Sequence, residues 1–229
     1  MVHSSKYLIL RDLDLFQSLN NQQIEQIAHQ AQYLRKKKGD FLFQAGDTVK
    51  SIFILNKGSV KSGVKTNMGK TLIKEIVYKS ELIGENVMTN VKVRRAFAQA
   101  ISDSQFFVIP VSFFKDLLQK NPQLCQELTY ILIQKMSNLE NRMSNFVFKK
   151  ARLRIVEFIR QLAELKGIKI GIEEILINHG LSHKEIANIT DTSRQTVARV
   201  LGDLKRDNII HFSARKPHKI LVRSMLSLS

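Results

Sequence analysis

Cysteine is nearly absent. Cys125 is the single one in 229 residues, so neither a disulfide nor an all-cysteine metal site can form within one chain. Long apolar runs are missing too. The strongest, residues 106–111, contains Pro110 and falls far short of the roughly 20 residues of a membrane span, so no membrane partner is expected. Near the start, Lys6 and Arg11 stand among polar residues, without the apolar core of a secretory signal; a cytoplasmic protein is expected. No nucleophile–base pair stands out, which argues against an enzyme. His179 and His183 are four apart but straddle a helix start and lack a third ligand, so no metal is expected. Gly69-Lys70-Thr71 imitates the end of a phosphate loop, but the glycine required five residues earlier is Val64. It also falls between strand-like segments rather than before a helix, so it reads as a hairpin turn.

What is present is an ordinary folded composition, 44% hydrophobic and 24% charged, of a length that fits one large domain or two small ones. The formal net charge is +16, which favours a polyanionic partner. The excess is shared, +7 over residues 150–229 and +9 over residues 1–149, so charge alone does not locate the site. Arg35-Lys36-Lys37-Lys38 reads as a solvated loop or strand edge.

Three textures follow one another. Residues 15–30 read as a short helix, with Asn20 and Gln23 as a capping box. Residues 33–109 carry short β-rich segments (41–43, 51–55, 59–65, 71–77, 97–101, 106–109) punctuated by glycines, the pattern of an antiparallel barrel, sandwich or roll. After Asn121-Pro122 the chain runs to Lys149 without glycine or proline, and Leu128, Leu132, Met136, Leu139, Met143 and Phe146 recur at steps of four and three. That stripe fits a coiled-coil seam between two chains. A helix of roughly 40 Å is also longer than a small β-domain readily covers. Cys125 on this helix reads as a small buried hydrophobe. Residues 148–150 form a hinge, and a further amphipathic helix over 155–165 ends at Gly167.

Residues 181–201 are the most informative. Ser182 and Glu185 form a capping box; Ile186 and Ile189 face inward and Ala187 leaves room for a crossing helix. Thr190-Asp191-Thr192 breaks the period, and Ser193 or Thr192 caps a second helix. There Val197, Val200, Leu201 and Leu204 take one face, and Arg194, Gln195, Ala198 and Arg199 the other. This is a helix-turn-helix pattern. An arginine fork matches O6 and N7 of guanine, and glutamine pairs bidentately with adenine. Ser193 and Thr196 are placed to hold phosphates, as is Ser182 at the first helix start. Two apolar strands, 209–212 and 219–222, joined by a basic loop with Arg215 and Lys216, read as a wing on the adjacent phosphates.

These features resemble the CRP/FNR family of bacterial transcription regulators over residues 15–222. The marks are Gly39-Asp40-Phe41-Leu42-Phe43-Gln44-Ala45-Gly46-Asp47, then residues 52–58, then Ile83-Gly84-Glu85 with Arg95 ten residues on, the long helix after Pro122, and residues 193–199. The resemblance implies an α+β chain: an N-terminal antiparallel β-roll of the cyclic-nucleotide-binding, jelly-roll-like type over 1–120, a dimerisation helix and hinge over 121–149, and a C-terminal winged helix-turn-helix over 150–229. It implies a homodimer on near-palindromic double-stranded DNA, with RNA polymerase as a further partner. It also implies an effector site in which Glu85 accepts from a ribose hydroxyl and Arg95 clamps a cyclic phosphate, with Gly84 allowing close approach.

Three departures weigh against cAMP (cyclic AMP). Ala96 replaces the usual hydroxyl residue, Asn86-Val87-Met88 replaces the usual leucine, alanine or glycine, leucine triplet, and Leu139 and Glu140 stand where hydroxyls meet adenine. Cyclic nucleotide, another small effector and none at all stay open, as does a simple Glu85–Arg95 pair. Residues 1–40 hold no cysteine, which excludes the family's iron–sulfur centre from one chain. Gln195 departs from the family's frequent Glu, and Asp191 stands where glycine is common in the turn. The competing class is a signalling or scaffold module whose helix-turn-helix meets protein; the arginine face favours DNA.

Overall fold

The structure is a computed structural model that describes residues 5–85, 89, 91–213 and 216–223. It divides into two compact units, residues 1–70 with 74–138, and residues 139–229 with the short segment Thr71–Ile73.

In the first unit α1 (Ser5–Arg11), a 3-10 turn (Asp14–Phe16) and α2 (Asn21–Gln30) precede the strands. The Asn20–Gln23 capping box forms reciprocally at the start of α2, at 2.9 Å in both directions. The strands are β1 (Gln32–Lys36), β2 (Phe41–Phe43), β3 (Ser51–Lys57), β4 (Val60–Lys65), β5 (Thr71–Val77), β6 (Leu82–Ile83), β7 (Phe97–Ala100) and β8 (Ser104–Pro110). They form two four-stranded sheets, β1-β8-β3-β6 and β2-β7-β4-β5, and every described pairing is antiparallel. The basic run 35–38 starts in β1, an edge strand, with Arg35 opposite Gln105 and Lys36 opposite Ser104. Gly69, at φ 78°, donates to the Thr66 carbonyl in the turn between β4 and β5.

Alternation explains why β3 and β8 read as unbroken apolar runs. Side chains of a strand point to opposite faces in turn. Ile52, Ile54, Phe107 and Ile109 enter a core shared with the helices, while Phe53, Leu55 and Phe106 enter a second core with Phe43, Val60 and Val77. Both faces are covered, so neither needs polar residues.

Helix α3 (Val111–Lys120) follows β8 directly, with Pro110 at its N-cap, and α4 (Pro122–Phe148) follows at once. The 27 residues of α4 make about 40 Å of helix. One expected seam residue is used elsewhere. Leu128 is 4% exposed and packs, with Leu124, into the first unit's own core, because its face of the helix lies on that unit. Leu132, Met136, Leu139, Met143 and Phe146 are exposed, Met143 to 71%. Cys125 is exposed as well, contrary to the expectation of a buried hydrophobe, because it sits one position past inward-facing Leu124.

The second unit has α5 (Ala151–Lys166), β9 (Ile168–Lys169), β10 (Ile175–Asn178), α6 (His183–Thr190), α7 (Arg194–Arg206), β11 (Ile210–Ser213) and β12 (Lys216–Val222). Its antiparallel sheet runs β11-β12-β10-β9. Among the described residues no helix is long and apolar enough to cross a membrane.

Candidate functional site

The helix pair α6–α7 is built by local chemistry. Ser182 Oγ accepts from the Glu185 amide at 3.3 Å, and the Glu185 carboxylate accepts from the Ser182 amide at 2.8 Å. These bonds satisfy two donors that a helix start leaves open. Just ahead of the cap, buried His179 accepts from the Leu181 amide through Nδ1 at 3.1 Å. Among the described residues no group of three metal-ligating side chains gathers.

Ile186, Ala187 and Thr190 are the buried positions of α6. Ile189, expected inward, is half-buried; Thr190 takes the inner place because its hydroxyl bonds the Ile186 carbonyl at 2.8 Å. Asp191 ends α6 in the left-handed region, φ 52° and ψ 50°, which lets the chain reverse within three residues.

Ser193, not Thr192, caps α7: its Oγ accepts from the Thr196 amide at 3.0 Å and lies 2.9 Å from the Thr196 hydroxyl. Behind the cap Val197, Val200, Leu201 and Leu204 are each at most 2% exposed. Burying four such side chains is worth roughly 6 kcal/mol or more by area. That burial fixes which face turns outward: Arg194, Gln195, Ala198 and Arg199 are all exposed, and Thr196 is half-buried. Among the described residues neither Arg194 nor Arg199 has a salt bridge or side-chain hydrogen bond, so both forks are free to act on something else.

The wing strands pair as β11–β12, with Ser213 opposite Lys216. Lys216 is therefore the first residue of β12 and not a loop residue. Arg215 lies outside the described residues.

The second candidate site lies in the first unit. A small space of about 30 Å³ is lined by Phe43, Ser62, Glu75, Gly84, Glu85, Arg94, Arg95 and Ala96. Gly84, Glu85, Arg95 and Ala96, singled out by the family resemblance, do come together. Leu139 and Glu140 are exposed and do not line it. Asn86, Val87 and Met88 lie outside the described residues.

Glu85 does not pair with Arg95. Its carboxylate meets Lys135 of α4 at 3.1 Å, and the same ammonium meets Glu75 at 3.1 Å and the Leu82 carbonyl at 3.1 Å. Burial opposes the charge on Lys135, but Glu85 and Glu75 outweigh it and lift its pKa above the ordinary 10.5. Burial lifts the Glu75 carboxyl above its ordinary 4.5, although Lys135 pulls it down.

The inward arginine is Arg94, 6% exposed. It donates to the Gly84 carbonyl at 3.3 Å and to the Ser51 carbonyl, and lies over Phe43 at 4.3 Å. A Cβ on Gly84 (φ 92°) would sit 2.5 Å from its guanidinium, so only glycine fits. Arg95 is exposed.

Two family matches decide what the chain is. Residues 33–121 match the cyclic nucleotide-binding domain family, and residues 153–228 match the Crp-like helix-turn-helix domain family. The chain belongs to the CRP/FNR family of transcription regulators. Relatives of this CRP/FNR chain span most of its length. The fumarate and nitrate reduction regulatory protein of Yersinia pestis is 26% identical, over 84% of this chain and 77% of that protein. The CRP-like cAMP-activated global transcriptional regulator of Mycobacterium tuberculosis is 23% identical, over 85% and 87%. A CooA variant from Carboxydothermus hydrogenoformans shares the fold, with a TM-score of 0.77 at 24% identity, over 96% of this chain and 95% of that one.

Proposed function

We propose that the chain acts as a homodimer that binds double-stranded DNA in a sequence-specific way and needs no cyclic nucleotide to do so. The observation that carries the DNA reading is the outward face of α7. Arg194, Gln195, Ala198 and Arg199 lie exposed over a fully buried inner face. Two arginine forks, one amide and a small alanine suit base edges in the major groove. Ser182, Ser193 and Thr196 serve phosphates, and Arg215 and Lys216 are assigned the same task. The exposed stripe Leu132, Met136, Leu139, Met143 and Phe146 pairs two copies, as steps of four and three require. The dimer sets two α7 helices about 34 Å apart for a near-palindromic site. Such a dimer works in the cytoplasm, beside RNA polymerase.

The effector reading rests on Lys135. The Mycobacterium tuberculosis relative is named for activation by cAMP. In this chain the glutamate placed to receive a ribose hydroxyl already holds an ammonium. The space beside it, about 30 Å³, is far below the roughly 300 Å³ of a small-molecule pocket.

Gel-shift selection from random duplex DNA across a salt series tests the reading. Near-palindromic sites are expected to emerge, with affinity falling steeply as salt rises because phosphate contacts release counterions. Arg194→Ala should relax base preference at one position by about 1–3 kcal/mol. Titration with cAMP should give no heat and no change in DNA affinity. If no sequence outcompetes bulk DNA at any salt, the DNA reading fails; cAMP binding at micromolar concentration defeats the effector-free part alone.

A further inference from the structure

The turn between α6 and α7 is gripped from two sides, both within the second unit. The Asp191 carboxylate accepts from Arg142 Nη2 at 3.3 and 3.2 Å, and the same nitrogen reaches the Asn188 carbonyl at 3.4 Å. Arg142 Nη1 donates to the Ile73 carbonyl of the same unit. Arg142 belongs to the last turns of α4, next to Met143 of the exposed stripe.

From the other side Arg154 of α5 donates through Nε to the Thr190 carbonyl at 2.9 Å, and through Nη2 to the Asp191 carbonyl at 2.8 Å. Its Nη1 donates to the Lys149 carbonyl at 2.8 Å, and its guanidinium lies 5.1 Å from the centre of the Phe146 ring. Phe146 is another residue of the stripe.

Both arginines therefore connect the stripe-bearing end of α4 to one turn, and Asp191 of that turn lies three residues before Arg194. The Arg142 and Asp191 side chains are 23% and 25% exposed, so their bonds are charge-assisted and only partly hydrated. Aspartate tolerates a left-handed turn better than most residues, though at some cost beside glycine. What Asp191 adds over glycine is the tie to Arg142.

We propose that Arg142, Asp191 and Arg154 form a latch that fixes the angle between the end of α4 and α7, and so the spacing of the two reading faces in a dimer. They are positioning residues, and the inference rests on the homodimeric DNA reading above. Fixed spacing matters only when two half-sites are engaged at once. The second contact is then intramolecular, and its effective concentration depends on geometry. A loosened latch weakens the full site and spares the half-site.

The test compares full-length wild type, Arg142→Gln, Arg142→Lys and Asp191→Gly. Each is measured on a duplex with two half-sites, on a duplex with one, and by hydrogen exchange of the amides at 188–193 without DNA. Arg142→Gln and Asp191→Gly are each expected to lose about tenfold or more on the full site and less than about twofold on the half-site. Exchange at 188–193 should quicken while the melting temperature and dimer mass hold, and Arg142→Lys, which keeps the cation, should lose less than Arg142→Gln. Should Arg142→Gln fail to fold, Asp191→Gly still decides, because glycine suits the turn and only the carboxylate is lost.

Equal losses on both duplexes, or unchanged exchange and full-site affinity, overturn the latch. If wild type selects no DNA sequence, the functional reading falls and exchange alone decides: unchanged protection overturns the latch, and a local loss at 188–193 upholds it.

Discussion

Lys135 carries its ammonium to a place where two carboxylates and a carbonyl converge, with only 19% of its side chain exposed. Removing it leaves Glu75 and Glu85 facing each other without a cation. Lys135→Met is therefore expected to cost about 3 kcal/mol, and adding Glu75→Gln should return part of that. Thermal melts check both. The pH dependence follows from the direction of the shift. A lysine raised on folding gives its stability in full below its unfolded pKa and loses it as pH climbs through the folded one. The gap between wild type and Lys135→Met should thus hold between pH 8 and 10 and narrow only above about 10.5.

The family resemblance pointed to Glu85 and Arg95 but not to Lys135, which lies 50 residues from Glu85 on a helix marked out by its apolar stripe. Nor does the resemblance separate Arg94 from its neighbour. Arg94 turns inward because main-chain carbonyls of Gly84 and Ser51 and the ring of Phe43 await it, and none of these is adjacent in sequence.

At the scale of elements, α4 changes employment along its length. Leu124 and Leu128 serve the first unit's core, and from Leu132 onward the stripe faces out. Met136→Glu should convert dimers to monomers in sedimentation while leaving the melting temperature of the chain's own core nearly unchanged. Leu128→Ala should do the reverse, costing about 2–5 kcal/mol of stability with association intact. Equal behaviour of the two would contradict the division.

The elements that were legible from sequence declare themselves locally. The capped starts of α2, α6 and α7 and the buried spacing of α7 all sit within one stretch of chain. Those that escaped depend on distant partners. Polar β1 is a strand because β8 lies beside it, and two-residue β9 exists only against β10. Helix α3 escaped because it follows β8 without a gap, its proline cap reading as the end of an apolar run. α1 is a seven-residue helix with no described cap of its own.

For the molecule as a whole, α4 and α5 are joined by two lysines. Lys149 and Lys150 separate Phe148 from Ala151 with neither glycine nor proline to loosen them. To trypsin, which cleaves after lysine, this is an inviting junction between two long helices. Yet the carbonyl of the Lys149–Lys150 bond is held by the Arg154 side chain at 2.8 Å, that of the Lys150–Ala151 bond accepts from the Arg154 amide at 3.1 Å, and the Lys149 amide is tied to the Asn145 carbonyl at 2.9 Å. The protease must wait for that arginine to let go, so cleavage follows the fraction of time the junction spends open. Arg154→Lys should hasten the cut several-fold, and a bound duplex should slow it. A digestion gel thereby becomes a clock for how often this joint between helices comes undone.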